Sequence, residues 1–141
     1  MNRVRFTWSG VEELRAQLRA LPAELAGEGA NLVEGRANGA ALTIRSGYPA
    51  RAGDLRDQLT VEHTRSRFGA RSVVRNTSDH ALPFDIGSQA NRYTTRGVNR
   101  GRMPATPVFS QTMGRARRAM YGDLADLLRR HGLTVTGSVD A

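Results

Sequence analysis

Leu59-Thr60-Val61-Glu62-His63-Thr64, followed after a break at Phe68-Gly69 by Ser72-Val73-Val74-Arg75-Asn76, is the stretch that decides the fold class. In the first run Leu59, Val61 and His63 alternate with Thr60, Glu62 and Thr64, the period of two that puts one face of a strand against a core. The second run is rich in β-branched residues, and a short connection between the two predicts an antiparallel hairpin. On both sides of this hairpin the period changes to three and four. A sheet flanked by helices in sequence order is an α+β architecture: a small antiparallel sheet packed against a long N-terminal helical segment and a C-terminal helix.

Working toward the N-terminus, Ser46-Gly47-Tyr48-Pro49 ends a helical pattern in which Leu25, Leu32, Val33, Ala37, Ala40, Ala41 and Ile44 recur at helical spacing. Gly27, Gly29, Gly35 and Gly39 interrupt it, each costing up to about 1 kcal/mol relative to Ala, so packing must hold this helix or explain the glycines. Before Pro22 lies another stripe, Val11, Leu14, Leu18 and Leu21, opened by a capping box at Ser9 and Glu12. Arg3 to Trp8 alternates as a strand, with Val4, Phe6 and Trp8 on one face. Toward the C-terminus, a polar turn from Asn76 to Asp79 precedes a short apolar piece, Ala81 to Ile86. The segment 87–107 has no period and reads as an extended Arg- and Gly-rich loop. Met113, Ala116, Met120, Leu124, Leu127 and Leu128 then mark a helix with Arg129, Arg130 and His131 at its negative end and Gly132 beyond it. The expected strands lie near 3–8, 57–65, 70–76 and 133–137, and the helices near 10–45 and 109–131. The expected core includes Phe6, Leu14, Leu18, Leu59, Val61, Val73, Met120, Leu124 and Leu127.

The chain has 141 residues, enough for a single domain spanning 1–141 with its own core. It has no Cys, so disulfides, thiolate metal sites and cysteine nucleophiles are excluded. No apolar run reaches the length of a membrane span, and Glu12 and Glu13 fall where a signal peptide would need its apolar region. The net charge is +8 and all 21 basic residues are Arg. This usage fits either a GC-rich coding bias or a demand for forked guanidinium groups. The charge is uneven: residues 63–122 hold eleven Arg and two acids, net +9, while 1–62 is neutral. Such a field attracts an anionic protein surface or nucleic acid, or is a solvated face.

Chemistry is sparse. His63, His80 and His131 fall on a strand, a turn and a helix end without metal-ligand spacing, and neither a Gly-x-Ser-x-Gly elbow nor a phosphate-binding Gly-Lys loop occurs. The sequence therefore suggests no enzyme, no cofactor and no metal. Nucleic-acid recognition lacks its usual signs as well: aromatic content is 6%, with no zinc-finger spacing and no helix-turn-helix pattern, so only unspecific phosphate attraction remains.

The ordered set of segments resembles a known family. A strand ending in Gly10, the Val11-Glu12-Glu13-Leu14 helix, the Leu21-Pro22 break, Tyr48-Pro49, Gly53-Asp54-Leu55-Arg56, His80-Ala81-Leu82-Pro83-Phe84-Asp85-Ile86-Gly87-Ser88 and Met103-Pro104-Ala105-Thr106-Pro107-Val108-Phe109 follow one another. This order is similar to the tail-completion, or head-to-tail joining, proteins of long-tailed double-stranded DNA phages and prophages. The family's Tyr-Ala-x-x-x-Glu-x-Gly-Thr-like segment falls here with His80 for the aromatic, Asp85 for Glu and Ser88 for Thr. The resemblance implies a non-enzymatic virion protein of the neck or tail, assembled in the bacterial cytoplasm. It would form a homo-oligomeric ring, a hexamer in the family, that encloses DNA without reading its sequence. Its partners would be the head connector or stopper and the tail terminator or tail tube, with no membrane contact. A tail terminator that caps the tube is a neighbouring reading, and a small basic nucleic-acid-binding module is one from another class. A ring subunit needs unlike side faces, and a long loop that orders on assembly is one way to supply them. The expected inter-subunit or partner contacts are Arg92, Tyr93, Arg96, Arg100, Arg102 and Arg115.

Overall fold

The computed structural model of the chain describes residues 23–51, 53–66, 69–88, 95–98 and 101–137. The strand expected near 3–8, the Ser9–Glu12 cap, the first turns of the helix expected from residue 10, and the core positions Phe6, Leu14 and Leu18 lie outside the described residues.

Ala23–Gly47 is one continuous helix, α1. Its Leu25, Ala30, Ala40, Ala41 and Ile44 are buried, the stripe that the spacing predicts. The glycines divide in an informative way. A Cβ at Gly29 would stand 3.8 Å from Leu124 and 3.9 Å from Leu127, so this position lies where the C-terminal helix packs closely. Gly27, Gly35 and Gly39 face open space, and packing does not explain them. A short helix, α2 (Gly53–Asp57), follows the Tyr48-Pro49 break and leads into β1 (Leu59–Ser66) and β2 (Gly69–Asn76). The strands pair antiparallel, with Leu59 opposite Asn76, Val61 opposite Val74 and His63 opposite Ser72. A second short helix, α3 (Ala81–Ile86), precedes the loop, and α4 (Val108–Arg130) closes the regular structure.

Both α1 and α4 bury one face, as their stripes require, and α1 covers the inner face of the hairpin. Two apolar clusters result. One joins Ala41, Ile44 and Tyr48 of the α1 end to Leu55 and Leu59, with Val61, Val74, Phe84, Val108, Phe109 and Met113 around them. The other joins Leu25 to Leu127 and Leu128, with Leu124, Leu133 and Val135 alongside. Between α1 and the outer half of the hairpin the contact is polar. Arg65 donates to Glu34 Oε1 at 2.6 Å, to Glu34 Oε2 at 2.7 Å and to Asn31 at 2.7 Å. His63 bridges Ser72 at 2.8 Å and Asn38 at 3.1 Å. The period-two face of β1 thus runs from apolar at Leu59 and Val61 to hydrogen-bonded at His63 and Arg65.

The structure corrects several expectations. Among the described residues the sheet has two strands, and 133–137 forms no ladder. After His131 the chain turns at Gly132 (φ 78°), Leu133 N–H donates to Leu128 O at 3.0 Å, and Leu133 and Val135 pack on the Leu25/Leu127/Leu128 cluster. Their alternation reflects burial against helices, which an extended chain achieves without a partner strand. The pieces at 53–57 and 81–86 are short helices. Of the expected core residues, Leu59 and Leu127 are buried, whereas Val61, Val73, Met120 and Leu124 are half-buried.

Candidate functional site

The segment from Asn76 to Ser88 organises one end of the molecule, starting from a single buried ring. Tyr48 is 1% exposed, packs edge-on against Phe84 with centroids 5.6 Å apart, and accepts a hydrogen bond at its hydroxyl from Asn76 at 3.2 Å. Burial pushes the Tyr48 phenol above its ordinary value, the Asn76 bond partly opposing. Asn76 also donates to Leu55 O at 2.8 Å and accepts from Ser78 N–H at 3.0 Å, which shapes the turn into α3. The Ser78 hydroxyl donates to Asp54.

Asp85 sets the direction of α4. The N-terminal flank of α4 is Pro107, which supplies no side-chain cap. The missing cap comes from α3: the carboxylate of Asp85, 8% exposed, accepts from Phe109 N–H at 2.8 Å and from Ser110 N–H at 3.2 Å and 3.3 Å. A carboxylate there satisfies orphan amides and meets the positive end of the helix dipole.

The loop is clasped at its root. Ser88 N–H donates to Met103 O at 3.0 Å, Met103 N–H to Ser88 Oγ at 2.9 Å, and Thr106 N–H to Phe84 O at 2.9 Å. Gly87 makes the clasp possible, with φ 82° and space that would place a Cβ 3.0 Å from Ala105 N and 3.1 Å from Met103 O. Ser88 and Met103 are therefore held side by side at this root. Beside it, Leu82 (66% exposed) and Ile86 (65%) stand one turn apart on the outer face of α3. A cleft of about 400 Å³ lined by Arg51, Leu55, His80, Phe84 and Met103 opens next to the clasp.

Of the expected contact residues, Arg96 and Arg102 are exposed in the loop, while Arg92, Tyr93 and Arg100 lie outside the described residues. Arg115 belongs to a different feature. With Ser110, Gln111, Gly114 and Arg118 it lines a groove of about 440 Å³ on α4. Among the described residues neither Arg115, Arg117 nor Arg118 has a carboxylate partner, whereas Arg36 pairs with Asp123, Arg65 with Glu34 and Arg129 with Asp126. Arg118, Leu82 and Ile86 are not among the contact residues expected from the sequence. Arg118 could have been found from its spacing to Arg115; the exposure of Leu82 and Ile86 carries no local signal.

The histidines stay apart in role: His63 is fixed between Ser72 and Asn38, His80 rims the cleft, and His131 approaches Glu28 at 3.5 Å. Among the described residues no three His, Asp or Glu side chains form a group that could hold a metal ion. The geometry supplies contact surfaces: an apolar ridge, a clasped loop with exposed arginines, and a basic groove. No protein-family model, curated protein or solved structure matches the chain.

Proposed function

We propose that the chain is a structural virion protein, a neck-ring subunit that joins a DNA-filled head to the tail tube of a long-tailed phage or prophage particle. The observation that carries this reading is the clasped loop. The segment carries Arg92, Arg96, Arg100 and Arg102 and few apolar side chains, and its root is fixed by Gly87, Ser88 and Met103. Guanidinium forks on a segment rooted in this way suit carboxylates of an adjacent subunit or connector. The segment that resembles the family motif, His80 to Ser88, is the one that caps α4 and closes this clasp.

Replacing Arg92, Arg96, Arg100 and Arg102 together by Gln is expected to leave separate heads and tails that fail to join. Normal yields of complete particles would overturn the role of the loop. Negative-stain images of the purified wild type are expected to show rings. The unpartnered arginines of α4 favour a second reading, a basic nucleic-acid-binding module. A salt-dependent gel shift by a monomeric chain that forms no rings would favour it.

A further inference from the structure

We infer that the α4 groove holding Arg115 and Arg118 receives the Asp57–Asp79 corner of a second copy of this chain, in a head-to-tail contact. The inference rests on the ring reading above and names the two unlike faces it needs. Arg115 and Arg118 are three residues apart, on one side of the helix. Gly114 precedes Arg115 and lies about one turn before Arg118, and even a Cβ there would come no closer than 4.0 Å to Arg118 Nη1. With no side chain at Gly114 the helix surface is open beside the two guanidinium groups, and among the described residues neither has a carboxylate partner.

The complementary feature sits on other elements. Asp57 ends α2, and Asp79 lies in the turn between β2 and α3; both are exposed. They flank one corner, because Thr77 N–H donates to Gln58 O at 3.3 Å and the Thr77 hydroxyl bonds Gln58 Oε1 at 3.1 Å. Every other carboxylate whose side chain is described has a hydrogen-bond or ion-pair partner within the chain; Asp57 and Asp79 have none. Two unpartnered carboxylates at an exposed corner match two unpartnered guanidinium groups in a groove. Charge-assisted, bidentate contacts are the strong kind available to such groups.

A DNA duplex fits this groove less well. Ser110, Gln111 and Gly114 leave only two charges in it, few for a surface that tracks a phosphate backbone. Because groove and corner are different patches, the contact is heterologous, and its repetition closes a ring when the rotation between copies allows.

The test is a charge exchange read by light scattering after size exclusion, with circular dichroism to show that each chain is folded. The Arg115→Glu/Arg118→Glu chain and the Asp57→Arg/Asp79→Arg chain are each expected to self-associate about 100-fold more weakly than wild type. Mixed in equal amounts they should assemble again, as alternating copies, because each then offers what the other lacks. If the wild type assembles but a mixture of the reversed chains does not, or the reversed chains assemble alone, the groove–corner contact is wrong while the ring reading stands. A wild type that stays monomeric at every concentration overturns both. Loss of duplex DNA binding by Arg115→Glu/Arg118→Glu with self-assembly unchanged would give the groove to nucleic acid and overturn the inference.

Discussion

Removing the Asp85 carboxylate tests the link between the motif segment and the fold. In Asp85→Ala the amides of Phe109 and Ser110 lose an acceptor held at 2.8 Å and 3.2 Å in a site only 8% exposed. Loss of a cap costs about 0.5–2 kcal/mol, and loss of a partly buried charge at a helix terminus up to about 2 kcal/mol. These effects overlap, since both describe the same carboxylate. The alternative partner for the amides is water, which can reach the site once the side chain is truncated and limits the desolvation penalty. A loss of about 1–2 kcal/mol is therefore expected. With a urea m-value of about 2 kcal/mol/M, the unfolding midpoint should fall by about 0.5–1 M. Asp85→Asn keeps an acceptor oxygen but not the charge and should lose about half as much. Urea titrations followed by circular dichroism measure both, and hydrogen exchange at Phe109 and Ser110 localises the effect. An Asp85→Ala midpoint within about 0.2 M of wild type would refute the capping argument.

Three further outcomes follow from other contacts. Leu127→Ala, at a site 3% exposed, should cost about 2–5 kcal/mol, while Arg96→Ala in the exposed loop should change stability by less than about 0.5 kcal/mol; equal losses would mean that core and loop are confused. Gly87→Ala forces a side chain into a φ of 82° and against Ala105 N and Met103 O, so it should destabilise by at least about 1 kcal/mol and raise protease sensitivity within 89–102; unchanged cleavage would count against the clasp. The hydrogen bond from Arg65 holds the Glu34 carboxyl below its ordinary 4.5, so the contribution of this pair is complete above that value and is lost as pH falls through the lower folded-state one. Arg65→Gln should therefore show a shallower acid-side fall in thermal midpoint than wild type, and parallel profiles would refute the linkage.

Local periodicity carried the elements that bury one face. The hairpin expected at 57–65 and 70–76 is found at Leu59–Ser66 and Gly69–Asn76, and the helix expected at 109–131 is found at Val108–Arg130. The α1 stripe was legible through Ile44 despite its glycines, because the propensity they cost is outweighed by the face the helix buries. Alternation misled at Leu133 and Val135, where the same pattern that a strand would show comes from an extended tail lying across helices.

What the tertiary structure alone decided are the contacts between residues far apart in sequence. The cap of Asp85 on Phe109 spans 24 positions and the bond of Asn76 to Tyr48 spans 28, and neither residue type announces its partner. The Arg115/Arg118 groove and the Asp57/Asp79 corner have the same origin. A charge run fixes the sign of a region, but whether each charge is neutralised depends on which carboxylates the fold brings within about 4 Å. In this chain that separates Arg65, held by Glu34, from Arg115 and Arg118, held by nothing described.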